Sequence, residues 1–429
     1  MVSKITYTVL LWSIGLLLVG QQSSSLKLKG SGINELESLV HFSGEKPIGY
    51  NINEWKSSFD LKAIFSPKST LHSNALMNIS NIEGRRFFSL RELNYQYRGR
   101  DYNIKIGKQI IDWGSLTGWS IMDLPNNFKY FDFIDTYLEE QGLWAISGSL
   151  YYNDFEVNLK ISPFFSPSHL YLQTSRWIEL PTELPTQDVT FPSIPLKYSG
   201  INEIKEFKGP QLGISISKDL GQWSTAINLF HGYNDIPNKS LILKIDSTDV
   251  MDTIDYQVDL IYSDITTLSF QFATFISDWN VWGEMAYTRS KRMGEGDLLE
   301  SYPFYTFSAG TDKVFEFEDP EQQIKLLLQY IYSFNTAGIT YDADDLNHIF
   351  NNAILADVGY RHNYNWSFNL RAALEFDRFG MYLYPNVSRR LNNQFKFLAG
   401  LEILRGSSDG FFGFYNENSR LRVAIRHYY

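Results

Sequence analysis

The side chains of this 429-residue chain that could do chemistry are thinly spread. Its seven histidines, from His41 and His72 through His169, His231, His348 and His362 to His427, form no i, i+4 pair that would turn two imidazoles toward one metal ion. Asp342, Asp344 and Asp345 resemble the opening of a calcium loop, since clustered carboxylates suit a hard cation. The sixth position is Asn347 where that loop needs Gly, and the twelfth is Ala353 where it needs Glu, so a solvated loop is the better reading. Cysteine is absent, which removes disulfides, thiolate metal sites, a Cys nucleophile and a lipidated N-terminal Cys. There is no Gly-x-Ser-x-Gly elbow and no Gly-Lys-Ser/Thr phosphate loop. The sequence therefore predicts no enzyme, no cofactor and no metal; a hydrolase with a dispersed Ser/His/Asp set on a barrel wall is the remote alternative.

More telling are charged residues at alternate positions of otherwise apolar segments: Glu92, Lys105, Glu156, Lys160, Asp255, Asp259, Glu284, Lys325, Arg371, Glu375, Lys396, Glu402, Arg422 and Arg426. Both signs occur. On a strand with one face in hydrocarbon, an Arg or Lys at mid-bilayer costs about 2–4 kcal/mol, whereas a water-filled interior holds it at little cost. These residues are expected to line a lumen and to set ion or solute preference through electrostatic barriers. The alternative is a filled interior in which they only pair with one another.

Strands must position them. Segments 55–65, 254–262, 324–334, 366–376 and 395–403 alternate with period two. Trp366, Phe368, Leu370, Ala372, Leu374 and Phe376 oppose Ser367, Asn369, Arg371, Ala373, Glu375 and Asp377; Ile254, Tyr256, Val258, Leu260 and Tyr262 oppose Asp255, Gln257 and Asp259. Such runs are roughly 9 to 13 residues long, against about five or six for a globular strand and about 9 to 11 for one crossing a bilayer at a tilt. Aromatic residues such as Trp55, Tyr95, Trp144, Tyr152, Trp279 and Trp366 stand near their ends, as interfacial girdles require. The 31 Phe, 27 Tyr and 10 Trp coexist with a slightly negative mean hydropathy, so the apolar content is dispersed. Past the N-terminus no run reaches the roughly 18 apolar residues of a membrane helix.

Short turns at Asn153-Asp154, Asp219-Leu220-Gly221, Ser277-Asp278, Asn363 and Asp377-Arg378 alternate with long connections at 112–140, 163–209, 232–253 and 335–350. The expected fold is all-β: a transmembrane antiparallel up-and-down β-barrel of about 18 strands, with 16 as the alternative, and long extracellular loops. Segment 163–209 carries six prolines, which bars it from a central strand and makes it a candidate plug over or inside the mouth. In the segment after Gln109, Asp112, Trp113 and Asp123, with Gly114 and Pro125, are expected to hold a loop folded inward as a constriction. The alternative there is Trp113 as an interfacial anchor and Gly114 as a plain turn.

At the N-terminus, Lys4, the apolar core Ile5 to Gly20 and the small polar run Gln21 to Ser25 read as an export signal, so residues 1–25 are assigned as signal peptide and 26–429 as barrel. At the other end, Leu421, Val423, Ile425, His427 and Tyr429 share one face and Arg422, Ala424, Arg426 and Tyr428 the other. A chain ending on this alternation and an aromatic resembles the terminal strand by which outer-membrane barrels are recognised for insertion, with Val423, Ile425, His427 and Tyr429 carrying the signal.

Four stretches resemble a family of uncharacterised Gram-negative outer-membrane proteins of the porin and alginate-export type. They are residues 104–114 with 122–125, where Lys108 stands in place of the usual Arg; residues 161–167; residues 209–213 through 230–237, where Asn234 departs from the pattern; and residues 282–287. The resemblance covers about the middle half of the chain. It implies an outer-membrane location and passage or export of a solute. The implied partners are outer-membrane lipid and lipopolysaccharide, the barrel-assembly machinery and an unknown solute. A net charge of −10 without a long Lys/Arg block argues against nucleic acid. The function expected is an outer-membrane channel or exporter for a small polar or amphipathic solute; the alternative is a structural or adhesive barrel with a blocked lumen.

Overall fold

Strands with one apolar face can hide it inside a sandwich or turn it outward from a closed ring, and this chain does the second. The structure is a computed structural model and describes residues 26–44, 49–111, 113, 118–120, 126–130, 132–134, 140–178, 180–184, 194–204, 209–244, 254–290, 302–338, 341, 345–346 and 348–429. The proposed signal segment, residues 1–25, lies outside them.

Eighteen staves form one antiparallel sheet. They are β1 (Lys27–His41), β2 (Asn51–Ser66), β3 (Ser69–Ser80), β4 (Phe87–Arg98), β5 (Tyr102–Gln109), β6 (Leu143–Tyr152), β7 (Phe155–Ser162), β8 (Gln211–Leu220) and β9 (Trp223–Tyr233), followed by β10 (Asp264–Ile276), β11 (Trp279–Ser290), β12 (Phe304–Glu316), β13 (Gln323–Asn335), β14 (Ala353–Arg361), β15 (Trp366–Glu375), β16 (Met381–Arg390), β17 (Phe395–Arg405) and β18 (Arg420–Tyr428). Each pairs with its chain neighbours, and β1 pairs with β18 from Ile33↔Tyr428 to His41↔Arg420, which closes the ring and leaves no free edge.

The outward face is apolar. Phe368, Leu370 and Leu374 are 45, 42 and 44% exposed, and Leu36 is 60% exposed. In water such a surface would be untenable; in a bilayer it is the required one. The inward face is polar: Glu35, Asn78, Asn228, Thr267, Gln329 and Glu402 are each nearly inaccessible. One end of the ring carries tight turns. Asn153 and Ser277 take the left-handed conformation there, with φ of 52° and 55°, and Gly221 does the same at 66°. These are the backbone geometries that two-residue hairpins between right-twisted strands require.

The other end carries the long connections, which form structure of their own. Asn127–Tyr130 pairs with Glu140–Gln141 and with His169–Leu170. A second sheet runs in the order Glu183–Leu184, Ile194–Ile204, Ile254–Ile261, Asn238–Lys244. The expectation for segment 254–262 is corrected here: it is not a barrel stave. Ile254, Tyr256, Val258, Leu260 and Tyr262 are all under 7% exposed, and they pack in a protein core with Phe165, Trp177 and Phe412 instead of facing lipid. The Asp377-Arg378 turn, expected among the short ones, belongs to the long-loop end, since it joins β15 to β16 where the chain returns from that side.

Candidate functional site: a loop-crossed lumen

Two connections enter the ring. The first leaves β5 and is closed at its neck by Asn126, whose side chain accepts from Ile111 N and donates to Ile111 O, both at 2.8 Å. Trp113 turns into the lumen: it is 8% exposed, sits edge-on to Phe230 with ring centroids 6.4 Å apart, and has Lys160 Nζ 4.5 Å over its ring. Gly213 makes this seat, because a Cβ there would lie 1.9 Å from the indole. Farther along the same wall, at β13, Gln329 grips the loop like a strand partner. Its Oε1 accepts from Trp119 N at 2.9 Å and its Nε2 donates to Trp119 O at 2.6 Å. Gly118, at φ +95°, passes so close that a Cβ would meet Gln329 Oε1 at 2.5 Å. Ser120 donates to Glu284 at 3.3 Å. The alternative of Trp113 as a lipid-interface anchor is therefore corrected: the residue is lumenal. Asp112, Gly114, Asp123 and Pro125 lie outside the described residues.

The second entrant is the proline-rich connection between β7 and β8. Arg176, 3% exposed, bridges it to the seam of the ring. Its guanidinium donates to Gly49 O at 2.9 Å, Ser43 O at 3.0 Å, Glu417 O at 3.1 Å and Asn418 Oδ1 at 3.3 Å, and Asn418 Nδ2 donates back to Arg176 O at 3.1 Å. Trp177 stacks on Phe411, with centroids 5.8 Å apart at 13°. Leu170, Leu172 and Ile178 join the loop sheet in one apolar core against Tyr382, Tyr384 and Leu404 of the wall. Within that core burial holds the Tyr256 phenol above its usual range, and among the described residues its hydroxyl has no hydrogen-bond partner.

The wall beneath this core, from β17 through β18 to β4, is densely charged. Arg420 pairs with Glu402 at 2.6 Å and with Asp132, which comes from the first loop. Arg422 meets Glu37 at 2.5 Å; Lys56 reaches Glu37 at 2.9 Å and Glu54 at 3.3 Å; Arg85 meets Glu54 at 2.7 Å; Arg426 pairs with Glu35. Nearer the tight turns, Lys105 lies 3.5 Å from Glu92, and His72 lies 3.6 Å from Glu92 and 2.5 Å from Asp60. Buried charges stay ionised only when paired this closely.

The opposite wall, β6 to β13, carries mostly hydroxyls and amides in register. Ser149, Asn158, Ser215, Asn228 and Ser269 are successive cross-strand partners. Below Trp113 this wall lines an open cavity of about 650 Å³ that reaches the Asn153-Asp154 turn.

The other expected lumen residues are scattered through this frame. Glu156 lines the cavity and Lys160 lies against Trp113. Glu284 accepts from Gln271 Nε2 at 2.6 Å. Arg371 lies 3.5 Å from Asp357. Lys325 and Lys396 stand on β13 and β17, and Glu375 is half-buried at the long-loop end of β15. Asp255 and Asp259 are corrected from barrel wall to loop sheet, Asp255 exposed and Asp259 half-buried. Val423, Ile425, His427 and Tyr429 share the outward side, with His427 stacked on Phe395 at 4.6 Å. Among the described residues no group of His, Asp or Glu could hold a metal ion.

Sequence reasoning missed Asn126, Arg176, Asp132 and Gln329. Three of them act mainly on backbone groups, which leave no trace in composition. Glu35 and Glu37 were missed although their alternation with Leu36 and Ser38 was a usable signal.

No protein-family model matches the chain, and no curated protein matches it. Solved structures do. OccD3 (OpdP) of Pseudomonas aeruginosa aligns with a TM-score of 0.50 at 8% identity, over 96% of this chain and 94% of its own. OccK2 (OpdF) of the same organism, solved with glucuronate, aligns with a TM-score of 0.49 at 10% identity, over 94% and 97%. Salmonella typhi OmpF aligns with a TM-score of 0.45 at 9% identity, over 94% and 98%. The chain thus has the closed 18-stranded fold of outer-membrane porins. With its apolar outward belt, it is a barrel of the kind that spans a membrane.

Proposed function

We propose that the protein is a channel for small polar solutes across the outer membrane, in which the loop carrying Trp113 forms the constriction and the charges on the inner wall set selectivity. The observation that supports this reading is the Gln329 grip on Trp119: a loop turned into the lumen at Trp113 and fixed to the inner wall at Gln329 narrows a passage in a defined place. A purely structural barrel has no need of a lumenal loop held at both ends. In this reading residues 1–25 are a removed export signal, the β18 face ending at Tyr429 is read by the insertion machinery, and the outward belt meets lipid and lipopolysaccharide. Membership in the porin and alginate-export type of family belongs to the same proposal. The protein is not an enzyme in this account.

The second reading, a barrel blocked by its plug, draws on the apolar core that the β7–β8 connection builds in the mouth. Planar-bilayer recording separates the two. Discrete current steps from the refolded full chain support the channel; an insulating bilayer at saturating protein supports the blocked barrel.

A further inference from the structure

The two halves of the lumen differ in chemistry, and the difference selects a solute. On the half from β17 to β4, the acids and bases closest to the plug consume one another in short ion pairs. The 650 Å³ cavity lies on the other half, within the roughly 300–1,000 Å³ of small-molecule sites. Its inward lining is chiefly neutral, with Asn158, Ser215, Ser217, Ser224 and Gln271 offering donors and acceptors together. Asp154, Glu156 and Asp219 add three carboxylates, none of them ion-paired among the described residues, and Asp219 accepts from Ser224 at 2.8 Å. The lysine nearest on the inner face, Lys160, is turned onto the Trp113 ring at 4.5 Å, while Lys218 lies over Phe155 at 4.3 Å on the outward face of the wall.

From this geometry we infer that the cavity is a subsite for a neutral polyhydroxylated solute of the size of a mono- or disaccharide. A polyol both donates and accepts at every hydroxyl, so it uses the amides, the serines and the three carboxylates at once. An anionic solute would face Asp154, Glu156 and Asp219 with Lys160 turned onto Trp113, and like charges brought together in a site are strongly rejected. A small ammonium solute without hydroxyls would meet the carboxylates and leave the amide and hydroxyl donors unmatched. The Trp113 edge and Ala226 supply the apolar surface that sugar C–H faces need. This inference rests on the channel reading for its biological sense, while binding at the cavity is tested separately from conduction.

The test is isothermal titration calorimetry of the refolded full chain in detergent with glucose, ethylammonium and glucuronate, alongside bilayer recording. Saturable binding of glucose, with glucuronate weaker by about tenfold or more, is expected. Asn158→Leu and Ser215→Val should each weaken glucose binding about tenfold, as the loss of one or two hydrogen bonds predicts. Should those variants fail to refold, Glu156→Gln keeps the shape and should bring glucuronate toward glucose in affinity. Glucuronate or ethylammonium binding as tightly as glucose overturns the inference, as does an unchanged glucuronate affinity in Glu156→Gln. Current steps without sugar binding overturn the subsite and leave the channel standing. Sugar binding in a protein that never conducts upholds the subsite and overturns the channel.

Discussion

Replacing Arg176 by Leu should release the plug while leaving the ring whole. The guanidinium makes four hydrogen bonds of 2.9–3.3 Å in a site where the residue is only 3% exposed, and its acceptors are three carbonyls and an amide on two separate connections. A hydrogen bond to a charged group contributes about 1.5–3 kcal/mol net, and the contributions in one cluster do not add. Removing the donor also strands buried acceptors, so the whole loss is set at about 3–5 kcal/mol. At 1.4 kcal/mol per factor of ten, the ratio of docked to undocked loop falls by about 10² to 4 × 10³. None of this energy lies in the stave-to-stave ladders, so the unboiled electrophoretic mobility of the folded barrel should not change. Trypsin sensitivity within residues 163–210 should rise, and single-channel conductance or open fraction should rise with it. Asn418→Ala should reproduce part of the effect and add little to Arg176→Leu, because both act on one clamp. Wild-type conductance together with wild-type protease resistance in Arg176→Leu would refute the reasoning.

Trp113→Ala should raise single-channel conductance, since it removes the indole seated at Gly213; an unchanged step size would show that the constriction lies elsewhere. Gln329→Leu deletes two hydrogen bonds to Trp119, worth about 1–3 kcal/mol, and should speed amide exchange at residues 118–120 by about tenfold or more while β13 itself stays protected. Leu370→Lys should lower barrel stability in lipid by about 2–4 kcal/mol, whereas Asn369→Lys, one residue along and facing the lumen, should cost far less. Equal effects of these two variants on the urea unfolding midpoint in vesicles would contradict the assignment of faces. Gly213→Val should displace Trp113 and quench or shift part of the tryptophan emission without loss of folded mobility.

The ring itself was legible because its two faces meet different media. In β15 the alternation of Phe368, Leu370 and Leu374 with Asn369 and Arg371 reads directly as lipid against lumen. The same rule misreads residues 254–262, and for a physical reason. Period two reports that one face is apolar, and hydrocarbon and a protein core make the same demand on side chains. Val258, wholly buried by Phe165 and its neighbours, is spelled no differently from Leu370. The proline content of segment 163–209 did mark a loop, but the residues that fix that loop were invisible. Arg176 gains its meaning from carbonyls at positions 43, 49 and 417, which only the closed ring brings together.

That closure carries a consequence for assembly. Gly32 and Tyr429 exchange backbone hydrogen bonds at 2.9 and 3.1 Å, so β18 completes its contact with the first stave at that point. The Arg176 clamp and the Arg420–Asp132 pair both draw on the β17–β18 connection and on β18 itself. Sealing the cylinder and furnishing its mouth thus depend on one and the same strand, and a variant without β18 would lose both together.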